Sequence, residues 1–150
     1  MRVLTVVAVL ALAACRGNSD PPVVAPPPPS LQGEWSWTGT TSTAIAHCTE
    51  SHISVFLTAI DSVTFIGFTE GGIETCTPND TTKVATVASW PSFGLVGTVK
   101  PDTVVLTMYL NGAAWTYEEG RLLDDRHLSG WFKGVAPRNY TGLWSAERVR

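Results

Sequence analysis

The chain has 150 residues, 44% of them hydrophobic and only 15% charged, with a formal charge of −3; that length allows one ordinary domain. The weak, dispersed acidity excludes the Lys/Arg stripe that nucleic-acid binding needs, so no nucleic-acid partner is expected. Six Trp, 13 Gly and 10 Pro suit an exported β-domain with tight turns better than a helical one.

Arg2 followed by the uncharged run 3–14 reads as an export signal, too short to span a bilayer as a mature helix. Leu12-Ala13-Ala14-Cys15 resembles the lipobox of bacterial lipoproteins: an aliphatic residue, two small ones, then Cys. The resemblance implies a signal peptide over 1–14, a diacylglyceryl thioether on Cys15 and acylation of the new N-terminus. Several acyl chains hold a protein stably, at about 0.8 kcal/mol per buried methylene. The rival reading is an ordinary signal peptide cut near Ala14. Arg16, where retained lipoproteins of that family carry Asp, implies the outer membrane. The expected address is therefore the cell envelope, with the membrane as partner through the lipid. Residues 15–30 are the lipidated Cys and a Pro-rich linker ending in Pro26-Pro27-Pro28-Pro29. Polyproline II would hold the domain about 45 Å from the bilayer at ~3.1 Å per residue.

From Leu31 to the end, residues 31–150, the pattern has period two. Leu31, Gly33, Trp35 and Trp37 share one face of a first strand, and 38–46 reads as a loop or ragged strand. A second strand spans 51–60, with Ile53, Val55, Leu57 and Ala59 on one face, and a third spans 63–69. Gly71-Gly72 is a hairpin signal before a short strand at 73–76. Strand-like runs at 83–89 and 93–99 follow, broken at Trp90-Pro91. The strand 103–110 alternates most clearly, and Asn111-Gly112 is the strongest hairpin signal because both positions tolerate positive φ. Strands at 115–122, 128–134 and 142–149 complete an all-β set. Spacing near ten residues with short connections predicts an up-and-down antiparallel β-barrel of about eight strands. Such a barrel has an interior just wide enough for side chains or one small ligand.

With Cys15 assigned to lipid, Cys48 and Cys76 form the economical disulfide of an oxidising compartment, worth roughly 3 kcal/mol in loop entropy. A metal site is the rival, since His47 and His52 flank Cys48, but no C-x-x-C or H-x-x-x-H spacing accompanies them.

The two ends carry a resemblance. Leu31-x-Gly33-x-Trp35 and Trp144-x-Ala146-x-Arg148 are similar to the end strands of calycins, the barrels that include avidins and lipocalins. The resemblance implies a first-strand Trp packed at the closed end by an Arg of the last strand. Trp35 and Arg148 would be that pair, with Gly33 and Trp144 completing the closure. The middle of the chain departs from both families, so ligand identity does not transfer; certain bacterial protease inhibitors share this small barrel too.

No G-x-S-x-G elbow, Walker A loop, H-E-x-x-H helix or dinucleotide-binding glycine pattern occurs. Asp125 and His127 read as a charged hairpin turn rather than an acid–base pair. Glu118 and Glu119 point to opposite faces of one strand and read as a solvated edge. Neither an enzyme nor a cofactor or metal is expected, and no catalytic residue is assigned. Strand aromatics ordinarily fill a core, but at a barrel mouth they would line an apolar pocket with polar tips. Trp37, Tyr109, Trp115 and Trp131 are the candidates, joined by Trp90 from a loop. The expected function is a binding module for a small apolar or amphipathic ligand. The alternative is an inhibitor or envelope interaction protein that uses loops and rim.

Overall fold

The computed structural model describes residues 30–149. The signal peptide, Cys15 and all of the linker before Ser30 lie outside the described residues. The strands are β1 (Gly33–Ser42), β2 (Ala46–Ala59), β3 (Thr64–Glu70), β4 (Ile73–Pro78), β5 (Thr86–Ser89), β6 (Gly94–Lys100), β7 (Thr103–Leu110), β8 (Ala113–Leu122), β9 (His127–Gly134) and β10 (Thr141–Arg148). All pairings are antiparallel, and eight strands close in the order β1-β10-β9-β8-β7-β6-β3-β2, with β2 returning to β1. First and last strands meet in the register Trp35↔Arg148 and Trp37↔Ala146. This pairing removes the two edges that a meander would otherwise leave open. The predicted all-β barrel is the fold of the molecule.

Alternation sorts the side chains. Trp35, Trp37, Ile53, Val55, Leu57, Phe65, Leu106 and Met108 point inward and are nearly sealed from solvent. At the closed end Trp35 is 1% exposed. Its indole N–H donates to the Leu31 carbonyl at 2.9 Å, and the Arg148 guanidinium lies 4.7 Å over the ring. Arg148 also donates through Nη2 to the Ser30 carbonyl. Next along the axis, Trp37 and Trp144 stack with centroids 4.5 Å apart. Gly120 makes room for that stack: a Cβ there would sit 2.5 Å from the Trp144 ring.

Two sequence readings are refined at the other end. Of the stretch 38–46, read as a loop or ragged strand, 38–42 continue β1 and pair with β2 as far as Ser42↔His47, and only 43–45 form the turn. Gly71-Gly72, with φ of 67° and 105°, does not reverse the chain. Both β3 and β4 run antiparallel to β2, with Ser54↔Glu70 followed by Ser51↔Ile73, so the two glycines bulge one long strand. Opposite them His52 has φ 58°, and two residues of β2, Ser51 and His52, stand against Thr38 of β1. This double irregularity bends the ribbon outward. Beyond the bend the first half of β2 carries β4, and β4 carries β5, as a flap standing past the rim. The disulfide Cys48–Cys76, with a sequence separation of 28, ties the first two strands of that flap.

Candidate functional site

The open end of the barrel holds a cavity of about 260 Å³. Its wall is aromatic, and each ring is placed by an identifiable local feature. Trp37 arrives by simple alternation on β1. Trp115 arrives by exception: Met108 opposes Thr116 while Tyr109 opposes Ala114, so Trp115 is the extra residue of a bulge and turns into the mouth. Trp90 and Phe93 come from the link between β5 and β6. Backbone bonds pin that link, Trp90 N–H to the Gly72 carbonyl at 3.0 Å and Thr69 N–H to the Phe93 carbonyl at 2.9 Å. The Thr69 hydroxyl oxygen in turn accepts the Phe93 N–H at 2.9 Å. Trp90–Phe93 and Phe93–Trp115 centroids are 5.4 Å and 5.9 Å apart, and Phe132 meets Tyr140 edge-on at 6.2 Å. Outside the wall the Arg138 guanidinium lies 3.6 Å over Trp115, held by weak donations to the Ala114 and Val135 carbonyls.

Three carboxylates share this apolar chamber: Glu50, Glu74 and Glu118. Glu118 is 1% exposed; its Oε1 accepts from the Thr116 hydroxyl at 3.0 Å, while Oε2 is buried with no hydrogen-bond partner among the described residues. Desolvation raises its pKa well above the usual carboxylate value, opposed by the Thr116 bond and reinforced by Glu50. Glu50, 4% exposed, accepts from the Thr41 hydroxyl at 2.7 Å. Burial pushes it up to about 7, with the Thr41 bond opposing and Glu74 adding to the rise. Glu50 and Glu74 stand directly opposite each other on β2 and β4, a like-charge pair that neither would favour if ionised. Gly39 makes room for the first of these acids, since a Cβ there would lie 2.0 Å from Glu50 Oε2. Burial likewise takes the Tyr140 phenol up to about 12.

The candidate residues divide. Trp37, Trp90 and Trp115 meet at the cavity. Tyr109 and Trp131 do not: their inward neighbours are Met108 and Phe132, which puts both on the outer face. There Trp131 is 39% exposed and packs against Tyr117 at 6.0 Å. Strict alternation along β7 and β9 carries that information in the sequence. Gly33, Trp35, Trp144 and Arg148 lie at or towards the closed end. Glu118 is not the solvated edge residue its sequence suggests; Glu119 takes the outer face and Glu118 the interior. Glu50, Phe93 and Tyr140 drew no attention in sequence. The hint for Glu50 was its place among Cys48, Ile53 and Val55, but the bulge at His52 hides the parity. The charged turn at His127 is as read, with Nδ1 2.8 Å from Asp124 and both groups exposed. Among the described residues the grouping with metal-ligand spacing is Cys48, Glu74 and Cys76, and its two sulfurs are joined in the disulfide.

No protein-family model matches the chain, and no curated protein matches it in sequence. Among solved structures it is similar to EF1p2_mFAP2b bound to DFHBI, with TM-score 0.51 and 15% identity over 79% of this chain and 93% of that one. It is also similar to a redesigned beta barrel, with TM-score 0.48 and 13% identity over 80% of this chain and 92% of that one. At such identities the first likeness shows a shared barrel fold.

Proposed function

We propose that this chain is a non-enzymatic binding module that takes a small amphipathic ligand into the mouth of its barrel, and that a lipid on Cys15 anchors it to the membrane of the cell envelope. The observation that carries the binding reading is the chamber of about 260 Å³ between Trp37, Trp90, Phe93 and Trp115, closed below by the stacked Trp37–Trp144 pair. An apolar wall with a few buried polar groups is the usual make-up of a ligand site. The volume lies just under the range typical of drug-sized ligands, so the ligand is small. The likeness to EF1p2_mFAP2b adds that a barrel of this fold is known bound to DFHBI.

Native mass spectrometry of protein taken from its own membrane tests both halves. A bound small molecule in one-to-one ratio is expected, lost when Met108→Trp fills the chamber. Protein without such a molecule, whose tryptophan emission also ignores a panel of small amphiphiles, overturns the binding reading. An unmodified Cys15 in the mature chain overturns the anchor. A partner surface is the second reading, favoured by Val84 and Val87, 84% and 69% exposed on the flap, whose β5 is the edge strand of the sheet among the described residues. Crosslinking at Val87 to an envelope protein, with no small molecule in the barrel, would select it.

A further inference from the structure

The aromatic wall accounts for an apolar ligand but leaves the acids without a purpose. Burying Glu118 costs free energy that the Thr116 bond to Oε1 offsets only in part: among the described residues Oε2 has no hydrogen-bond partner, and no ion pair engages Glu50, Glu74 or Glu118. Buried polar atoms left unpaired are rare in folded proteins and call for a specific reason. All three side chains open onto one chamber. The rings around them present π faces, which attract cations, and Trp115 already holds the Arg138 guanidinium at 3.6 Å. A divalent metal fits less well, because the grouping with metal-ligand spacing among the described residues draws on disulfide sulfurs rather than on Glu50 and Glu118.

Resting on the binding reading above, we propose that the barrel mouth selects a small organic ammonium ion, its apolar body against Trp37, Phe93 and Trp115 and its N–H groups donating to Glu118 Oε2 and to Glu50. In the free protein burial favours the protonated form of the Glu118 carboxyl and takes Glu50 up to about 7. The entering cation supplies the missing counter-charge, so the acid ionises and its proton leaves to solvent. The groups facing this exchange are Glu50 on β2, Glu74 on β4, Glu118 on β8 and the neutral Tyr140 phenol before β10; Arg138 stands behind Trp115. Affinity for the ammonium ion therefore rises with pH, by roughly tenfold per unit for each proton released, and levels off once these carboxyls are already ionised in the free protein.

Titration calorimetry with phenethylammonium chloride, its neutral counterpart 2-phenylethanol and the anion phenylacetate tests the proposal on the wild-type protein. The ammonium ion is expected to bind at least tenfold tighter than the alcohol, with phenylacetate weakest. Its apparent enthalpy should differ between phosphate and Tris buffers by the amount one released proton requires. Glu118→Gln, checked for fold by circular dichroism, is expected to lose the preference and the proton release while still binding 2-phenylethanol. Equal binding of the ammonium ion and the alcohol, or no buffer dependence, overturns charge selection but leaves the binding module standing. Failure of all three to bind overturns both readings.

Discussion

Glu50 and Glu118 hold protons in the folded barrel at pH values where the same carboxyls in an unfolded chain are already ionised. Their contribution to stability is complete below the ordinary carboxylate pKa of 4.5 and falls as pH rises, through about 7 for Glu50 and through the burial-raised pKa of Glu118. For Glu50 the loss amounts to at most roughly 3 kcal/mol. The melting temperature is therefore expected to drop between pH 5 and pH 8, and Glu50→Gln to flatten that slope; calorimetry across the range checks it. A slope unchanged in the variant would place the Glu50 carboxylate in solvent. Residue-scale chemistry of this kind was the least legible part of the sequence. Glu118 precedes another glutamate in a polar-looking strand, and only the closing of the barrel converts its parity into burial. Gly39, which vacates the space that Glu50 Oε2 occupies, looks in sequence like any small residue of a strand.

At the level of elements, local signals were read correctly wherever the structure they specify is itself local. Asn111-Gly112 has φ of 51° and 80°, the two left-handed residues of a tight hairpin between β7 and β8. Gly71-Gly72 carries the same local signal yet serves as a bulge, because positive φ suits a reversal and a bulge equally and the pairing partner decides which forms. The bend at His52 is the counterpart on β2. A β-branched side chain is strained at φ 58°, whereas glycine is not. His52→Val is expected to lower stability by about 1–2 kcal/mol, and His52→Gly to leave it within about 1 kcal/mol of wild type. Urea unfolding of the pair checks the prediction. Equal losses would show that the His52 side chain, rather than its backbone, matters there. Trp115 follows the same logic: its inward turn depends on a bulge that alternation alone does not reveal.

The whole molecule depends on joining its two ends. β1 is the seam, paired with β10 on one side and β2 on the other, and Trp35 under Arg148 plugs the end of the barrel remote from the chamber. Trp35→Ala is expected to cost roughly 3–5 kcal/mol through the cavity it leaves, while Arg148→Lys, which keeps charge but loses the planar stack, should cost about 1 kcal/mol. Denaturant midpoints measure both, and a Trp35→Ala barrel as stable as wild type would remove the plug from the account. Because this plug sits at the opposite end from Glu118, ligand affinity of the folded Arg148→Lys protein should match wild type.

Period-two alternation, turn residues and the end motifs sufficed to determine strands, the all-β class and closure of the barrel, since each rests on contacts between near neighbours or on a period that any pairing preserves. The pairing of Cys48 with Cys76 was expected from the cysteine count together with an expected oxidising compartment. Tertiary structure alone decided what the inside contains. A bulge of one residue reverses every side chain beyond it, and desolvation depends on what the other seven strands place around a carboxyl. The acids at the barrel mouth therefore became visible only once the sheet had closed.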